Sequence, residues 1–575
     1  MAGPEKNKGI GEKEIMLDYE KLGREALAEL RAAADRAPEV QEKLLLELLK
    51  ENQDTPFGRH YGFSGIHSME DYRKRVPLTT FDDYDPYWVN GGLSAEPVEY
   101  YALSSGTSGS AKYIPTTRHM RNNYFRTAFC VPLGMVNEYY PGCTMEELHG
   151  MIFQTGEFRC AEFKNGIMCG IRSSAVYLQM NRDGGFDASN YTAPKEVLFQ
   201  KDKADLIYAK ARFALMHADV TAIHSVFVHR VVGIMKYIVD YWDVLLDDIE
   251  HGTVSEELLP DETWRARILG MVQPMPERAA ELRALDRAQL EDHLIQKLWP
   301  KIKYMILIVG ESFSQYGEQF ARFRGDVPVH GFVYGSSEGT IGVGEGVNRL
   351  DCYIPNPEDC IFEFVPVDQK EAEEMPVKGV GEVIAGHKYE LVITNCGGLY
   401  RYQMQDVVKI LEFYGKMPVI RFCYRRNLIM NLAGEKTNLE QLKGAVRELE
   451  LQGGVHLTEY AVSGDLSVNP GRYVLYYETA GNKKPKWDDQ AFDRCMRENS
   501  VDYNDCRNTM EIGPAVTRRL KPDSFTAWKD RLAENGAEMG QDKPMNMLDT
   551  PEKQNFFAER TEEEERDETG EENTQ

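Results

Sequence analysis

The chain has no apolar run long enough to cross a bilayer. Its longest, such as YMILIVG at 304–310, falls far short of the roughly 20 residues a spanning helix needs. The opening MAGPEKNKGIGEKEI carries no apolar stretch of the kind a secretion signal requires. Ten cysteines stand singly, with no CxxC pair, and Cys352/Cys360 and Cys160/Cys169 are too widely spaced for a zinc ribbon. That usage suits reduced thiols and argues against a disulfide framework. Basic charge is short as well: 67 Lys and Arg face 92 Asp and Glu, a net charge of −25. Such a field disfavours non-specific binding to nucleic acid or to an anionic membrane. No internal repeat is visible. A soluble, cytoplasmic monomer with no nucleic-acid or membrane partner is expected.

What is present is a long chain of ordinary globular composition. At 575 residues and 42% hydrophobic it exceeds what one core serves, so two or more domains are expected. Amphipathic helices are predicted over 13–52, interrupted near Ala37-Pro38, then over about 202–250 and 277–300. β-type segments lie at MILIVG (305–310), PVHGFVYG (328–335), CIFEFVPV (360–367) and YELVITN (389–395). Helices alternating with strands indicate an α/β architecture with at least one large sheet. Beyond Val407 the texture shifts to short strands and helices, a small α+β unit. The predicted divisions are a large domain at 1–424, a C-terminal unit at 425–550, and an acidic disordered tail at 551–575. The tail's ten acidic and three basic residues give it a charge of −7.

Four stretches could carry chemistry. In YYALSSGTSGSAKYIPTT (100–117), Ser104, Ser105, Gly106, Thr107 and Ser108 lead into Gly109, Ser110 and Lys112. The phosphate loop of Walker type fails here, because Lys112 follows Ala111 and precedes Tyr113. What remains is a Ser/Thr/Gly turn whose N–H and hydroxyl groups suit phosphate oxygens, or else a polar hairpin turn. Lys112 either touches phosphate or anchors the loop. In VYGSSEG (333–339) a strand runs into a turn with one carboxylate, Glu338, a residue type that binds Mg²⁺. In GGLYRYQMQDVV (397–408), Arg401 precedes Asp406, which opens an apolar strand where ribose hydroxyls could bond. Both are also compatible with ordinary turns. In RRNLIMNLAGEKTNLEQL (425–442), Lys436 is the one base on its turn, ahead of a helix capped by Thr437-Asn438. His217, His224 and His229 fall on the helix expected near 204–235. Their spacings of seven and five are not the i, i+4 of a helical zinc site.

In order and spacing, SSGTSGSAK, YGSSEG, GLYRYQMQDVV and RRNLIMNLAGEKT resemble the acyl acid amido synthetases, auxin-responsive, jasmonate- and benzoate-conjugating ligases with bacterial relatives. These belong to the adenylate-forming superfamily of acyl-CoA synthetases and luciferase. The resemblance covers roughly 20–550 and implies a large adenylate-forming α/β domain with a small mobile C-terminal domain. It implies ATP and Mg²⁺, with Ser104, Ser105, Gly106, Thr107 and Ser108 on the phosphates. Tyr334, Gly335, Ser336, Ser337 and Glu338 would line the adenine and α-phosphate region, with Glu338 as metal ligand. Asp406 would hold the ribose, Arg401 would sit beside the acyl-adenylate, and Lys436 would swing in to phosphate, with Lys543 a second lysine. The helix over 204–235 would flank the acyl pocket, with Val226, Phe227 and Arg230 facing substrate. Two positions depart from the family: Gln405 stands where glycine usually precedes the aspartate, and Gln403 where a base is common.

The activity implied is ATP-dependent adenylation of a small carboxylic acid, then transfer of the acyl group to an amino acid amine. A carboxylate is a poor acyl donor because oxide would have to leave; adenylation makes AMP the leaving group. No protein nucleophile is needed, which agrees with the lack of a Ser/His/Asp set. Transfer to coenzyme A from the same adenylate, and nucleotide binding without turnover, are the other readings these residues leave open.

Overall fold

The structure is a computed structural model. It describes residues 19–562, apart from 89–91, 105–111, 156–161, 165–166, 171, 173–187, 200–205, 310–315, 368–375, 427, 436, 535–546 and 549. Among these, two large sheets organise the N-terminal three-quarters of the chain. One is wholly parallel, in the order Ile152–Gln154, Ala222–Phe227, Tyr304–Ile308, Val329–Gly331. Helices Ile207–Met216, Val228–Asp240, Trp242–His251 and Gly317–Arg324 pack with it into the largest apolar core. Burial on both faces explains why Tyr304–Ile308 is a continuous apolar run and not an alternating one.

The other sheet is antiparallel and eight-stranded: Lys378–Gly379, Cys360–Pro366, Lys388–Asn395, Tyr402–Tyr414, Met417–Arg425, Tyr353–Ile354, Thr340–Gly344, Val333–Gly335. Helix Ala37–Asn52 covers part of one face: Gln41 bonds the carbonyls of Pro357 and Cys360 and the N–H of Phe362. Helix Tyr19–Ala34 lies against Val131–Tyr139 so closely that a Cβ at Gly134 would stand 2.4 Å from the Gly23 carbonyl oxygen, which only glycine allows. A third sheet pairs Val98–Ser104 with Lys112–Thr117 as an antiparallel hairpin, Ser104 opposite Lys112. From Leu428 the chain builds a separate α+β unit. Strands Leu457–Asp465, Arg472–Thr479 and Val516–Arg519 pack with helices Leu439–Gly453, Ala491–Asn499 and Val501–Asn508 around their own core. The mixed α/β architecture with a C-terminal domain is the one expected.

Three sequence expectations need correction. The helix over 202–250 is broken by the strand Ala222–Phe227, because AIHSVF fills the slot between Ile152–Gln154 and Tyr304–Ile308. His224 therefore sits in a buried strand and His229 at a helix start, not on one helical face. The helix over 277–300 divides into Pro276–Arg283 and Leu294–Leu298, with His293 in the left-handed region at φ 57°. The acidic tail does not begin at 551. Pro551–Ala558 is a helix capped by the Thr550 side chain. Its Phe557 is buried, with ring centroids 4.8 Å from Phe525 and 6.1 Å from Trp528, and apolar contact outweighs the local charge. Residues 563–575 lie outside the described set.

No helix among the described residues is long and apolar enough to cross a membrane.

Candidate active site

Three of the four stretches converge on one carboxylate. Strands Tyr402–Tyr414 and Met417–Arg425 form an antiparallel ladder whose register sets Asp406 directly opposite Arg425. Asp406 is buried, and Arg425 Nη1 donates to its Oδ1 at 3.3 Å. Tyr334, on the edge strand Val333–Gly335, donates its hydroxyl to Oδ2 at 2.8 Å. That ring is held by Tyr353 and Phe422, at centroid distances of 5.7 and 5.9 Å. Burial first, then Asp406, pushes the Tyr334 hydroxyl well above the usual tyrosine range, so it stays a donor at neutral pH. Burial opposes the charge of Arg425, yet Asp406 and then Glu338 hold its guanidinium above the ordinary range.

Gln405, just before Asp406, has φ 61° inside a strand. That left-handed conformation favours glycine, the residue usual here in the family the sequence resembles. The Gln405 backbone still works: its carbonyl accepts the Arg426 N–H at 2.8 Å. The Arg426 guanidinium pairs with the Glu390 carboxylate at 2.9 Å. The side-chain carbonyl oxygen of Gln405 is buried with no partner among the described residues.

The YGSSEG segment closes as a tight turn. Ser336 N–H donates to Gly339 O at 2.9 Å, and Gly339 N–H to Ser336 Oγ at 3.1 Å. Asn395 Nδ2 donates to Glu338 O at 2.5 Å and ties the turn to the large sheet. Glu338 is 2% exposed, and among the described residues its carboxylate has no ion pair within 4 Å. Both Arg172 and Arg425 feel its charge. Gly335, Ser336 and Ser337 flank this turn and follow Tyr334 directly. No group of three or more His, Cys, Asp or Glu that could hold a metal is found among the described residues.

Arg401 is the site residue that the structure moves. At φ 52° it turns its guanidinium inward, 5% exposed, onto Glu363: Nε–Oε2 is 3.0 Å and Nη2–Oε1 3.2 Å. Nη1 donates to the carbonyls of Arg73 and Val76. Glu363 is buried and needs a cation, and Arg401 supplies it together with Arg73. Arg401 is therefore held in a buried ion pair with Glu363. The cation at Asp406 is Arg425, which the sequence reading passed over; its signal was the first of two arginines closing a strand paired with the DVV strand.

Ser104 ends its strand at the hairpin mouth. Ser105, Gly106, Thr107, Ser108, Lys436 and Lys543 lie outside the described residues. The anchoring of the loop before Lys436 is described. Glu435, fully buried, accepts the N–H groups of Leu432 at 2.6 Å and Ala433 at 2.7 Å and a bond from the Tyr473 hydroxyl. Burial pushes its carboxyl up to about 7. Gly434, at φ 95°, lies against Phe227, whose ring would be 3.3 Å from an added Cβ. Arg230 forms an ion pair with Glu511 of the C-terminal unit. Phe227 and Arg230, expected to face substrate, thus meet the C-terminal unit.

Comparison with known proteins places this geometry in a family. The GH3 family N-terminal domain matches residues 26–329, its central domain 353–425 and its C-terminal domain 440–552. The chain is 29% identical over 560 residues to the indole-3-acetic acid-amido synthetase GH3.17 of Arabidopsis thaliana, covering 88% of this chain and 90% of that protein. It is 28% identical over 551 residues to the 4-substituted benzoates-glutamate ligase GH3.12 of the same plant, covering 90% and 93%. The jasmonoyl-L-amino acid synthetase JAR4 of Nicotiana attenuata is 28% identical over 544 residues, covering 90% and 92%. The fold resembles the solved acyl acid amido synthetase AtGH3.15 in complex with 2,4-DB, with a TM-score of 0.62 at 22% identity over 95% of this chain and 97% of that one. With all three of its domains matched, and the N-terminal one alone spanning over half the residues, the chain belongs to the GH3 family.

Proposed function

We propose that the protein is a cytoplasmic, AMP-forming acid–amino acid ligase. It adenylates a small carboxylic acid with ATP and passes the acyl group to an amino acid amine. The observation that carries this reading is Asp406 held by Tyr334 and Arg425, in a chain whose relatives are amido synthetases over nine-tenths of their length. The compartment is supported by nine described cysteines, all free thiols.

The chemistry runs in two steps. An oxygen of the acid attacks the α-phosphorus of ATP, the bond to pyrophosphate breaks, and an acyl-adenylate forms. The amine nitrogen then attacks the acyl carbonyl, loses a proton, and AMP leaves with the bonding electrons. Asp406 accepts ribose hydroxyls on a carboxylate already oriented by two donors, and the aromatic group around Tyr334 flanks the base. Preorganised donors of this kind lower the reorganisation needed on binding. Loop residues Ser104 to Ser108 donate to the phosphates, and Lys436, with Lys543 as a second lysine, offsets charge there. Glu338 fits a magnesium site, a hard and buried oxygen ligand without an ion pair among the described residues; Mg²⁺ bound there would neutralise phosphate charge. We place the division between units just past Arg426, whose N–H and side chain are still bound to the large sheet, with the smaller unit closing as a lid between steps.

The test is carboxylate-dependent exchange of labelled pyrophosphate into ATP, across a panel of aromatic and aliphatic acids. At least one acid is expected to support exchange, and none doing so would overturn the reading. Adding amino acids or coenzyme A to the active acid then separates amide from thioester by product mass, and thioester alone would overturn the amine as acceptor.

A further inference from the structure

Arg172 is a buried cation with no anion against it among the described residues. It is 8% exposed, and its guanidinium makes two long bonds to neutral acceptors: Nη1 to Ser336 O and Nη2 to Thr340 Oγ1, both at 3.3 Å. Its Nε is buried with no partner. Among the described residues no Asp or Glu lies within 4 Å of it. By contrast Arg401, Arg425 and Arg507, comparably buried, each meet a carboxylate directly. A buried guanidinium with five N–H donors is costly unless an anion and further acceptors compensate it. Burial pushes its pKa below the usual range, and the carboxylates of Asp359 and Glu338 act on it only from a distance.

Its described surroundings fit one kind of anion. On one side is the Ser336–Gly339 turn that carries Glu338. On the other, the Tyr124 ring lies beneath the guanidinium, 5.4 Å from Cζ to centroid. Tyr124 belongs to an apolar wall with Ala128, Phe129, Phe332 and Val333, and the π-helical turn Arg126–Cys130 follows it closely. Such turns are frequent at functional sites. A cation between an aromatic wall and the phosphate-side turn matches a molecule with an apolar body and a carboxylate head. The nucleotide end has its own cation in Arg425.

We propose that Arg172 binds the reacting carboxylate of the acid substrate, selecting acids whose apolar body lies along the Tyr124 wall. This rests on the ligase reading above. The experiment is acid-dependent pyrophosphate exchange, with KM measured separately for the acid and for ATP in wild type, Arg172→Gln and Arg172→Lys. Loss of a charged hydrogen bond should raise the acid KM about tenfold to a hundredfold in the Gln variant, with ATP KM within about twofold and partial recovery in the Lys variant. An unchanged acid KM, or a rise in ATP KM instead, would overturn the assignment while leaving the ligase reading intact. Wild type that exchanges with no acid would overturn the ligase reading itself. A second measurement needs no variant: the primary amide of an active acid should compete at least about tenfold more weakly than the acid in wild type. Equal competition would also overturn the assignment.

Discussion

Gln405→Gly should stabilise the protein, against the usual behaviour of glycine in a strand. Gln405 sits at φ 61° within Tyr402–Tyr414, where a Cβ costs about 1–2 kcal/mol. Its buried side-chain carbonyl, lacking a partner among the described residues, adds roughly 1 kcal/mol of uncompensated desolvation. Glycine removes both and returns about 0.5–1 kcal/mol through the greater freedom of the unfolded chain. The backbone bond to Arg426 stays in place, so the net gain is about 1–2.5 kcal/mol. With a urea slope of about 3 kcal/mol per molar, that is a midpoint roughly 0.3–0.8 M higher. The control is Gln405→Ala, which removes the amide but keeps the Cβ. If the strain is real, Gly exceeds Ala by about 1 kcal/mol, whereas an ordinary strand position shows the reverse order. Urea unfolding of the three proteins by circular dichroism reads this directly. Alanine above glycine would refute the left-handed strain at this position.

Arg401→Gln leaves Glu363 partly uncompensated in the interior, and breaking such a pair should cost about 3–5 kcal/mol in urea unfolding; full stability with selective loss of exchange would restore a role at the substrate. Asp406→Asn keeps the shape but loses the charged acceptor, so the ATP KM in exchange should rise about tenfold or more, and an unchanged KM would remove Asp406 from nucleotide binding. Glu435 gives a pH signature: its folded pKa, about 7, lies above the unfolded value of roughly 4.3, so the neutral form is favoured in the fold. Its contribution is complete below about pH 4.3 and is lost as pH rises through 7, an upper bound of roughly 3–4 kcal/mol. Stability measured from pH 4.5 to 8 should therefore fall less steeply in Glu435→Gln than in wild type, and parallel curves would refute the shift.

Strands were legible where the residues themselves announce burial. CIFEFVPV and YELVITN form the central strands Cys360–Pro366 and Lys388–Asn395. The strand Ala222–Phe227 was hidden because its six residues lie between helix-forming stretches, and only pairing with strands some 70 residues before and 80 after it makes it β. The helix Pro551–Ala558 was hidden by charge: two phenylalanines in an acidic run look solvated until Trp528 and Phe525 are seen to receive them.

The site divides along the same line: Arg401, expected beside the acyl-adenylate, is buried on Glu363, and Arg425, given no role from the sequence, meets Asp406. Local residue types singled out Asp406, Tyr334 and the Ser336–Gly339 turn, although Asp406 lies inside Tyr402–Tyr414 and does not open it. They could not tell which arginine reaches Asp406, since that depends on register. Arg401 is five residues from Asp406 along the chain, but its left-handed φ sends the guanidinium to Glu363. Arg425 is nineteen residues away, yet the antiparallel ladder from Tyr402–Tyr414 to Met417–Arg425 brings it opposite. A one-residue slip of that ladder would turn Arg425 to the other face and present Arg426, which now pairs with Glu390. The register is held by the bonds that fix both arginines at the large sheet's final residues. Arg425 is bound to Asp406, while Arg426 is bound to Glu390 and, through its N–H, to Gln405. A rotation of the C-terminal unit of the kind proposed above would therefore begin beyond Arg426 and leave Asp406 with Tyr334 and Arg425 assembled.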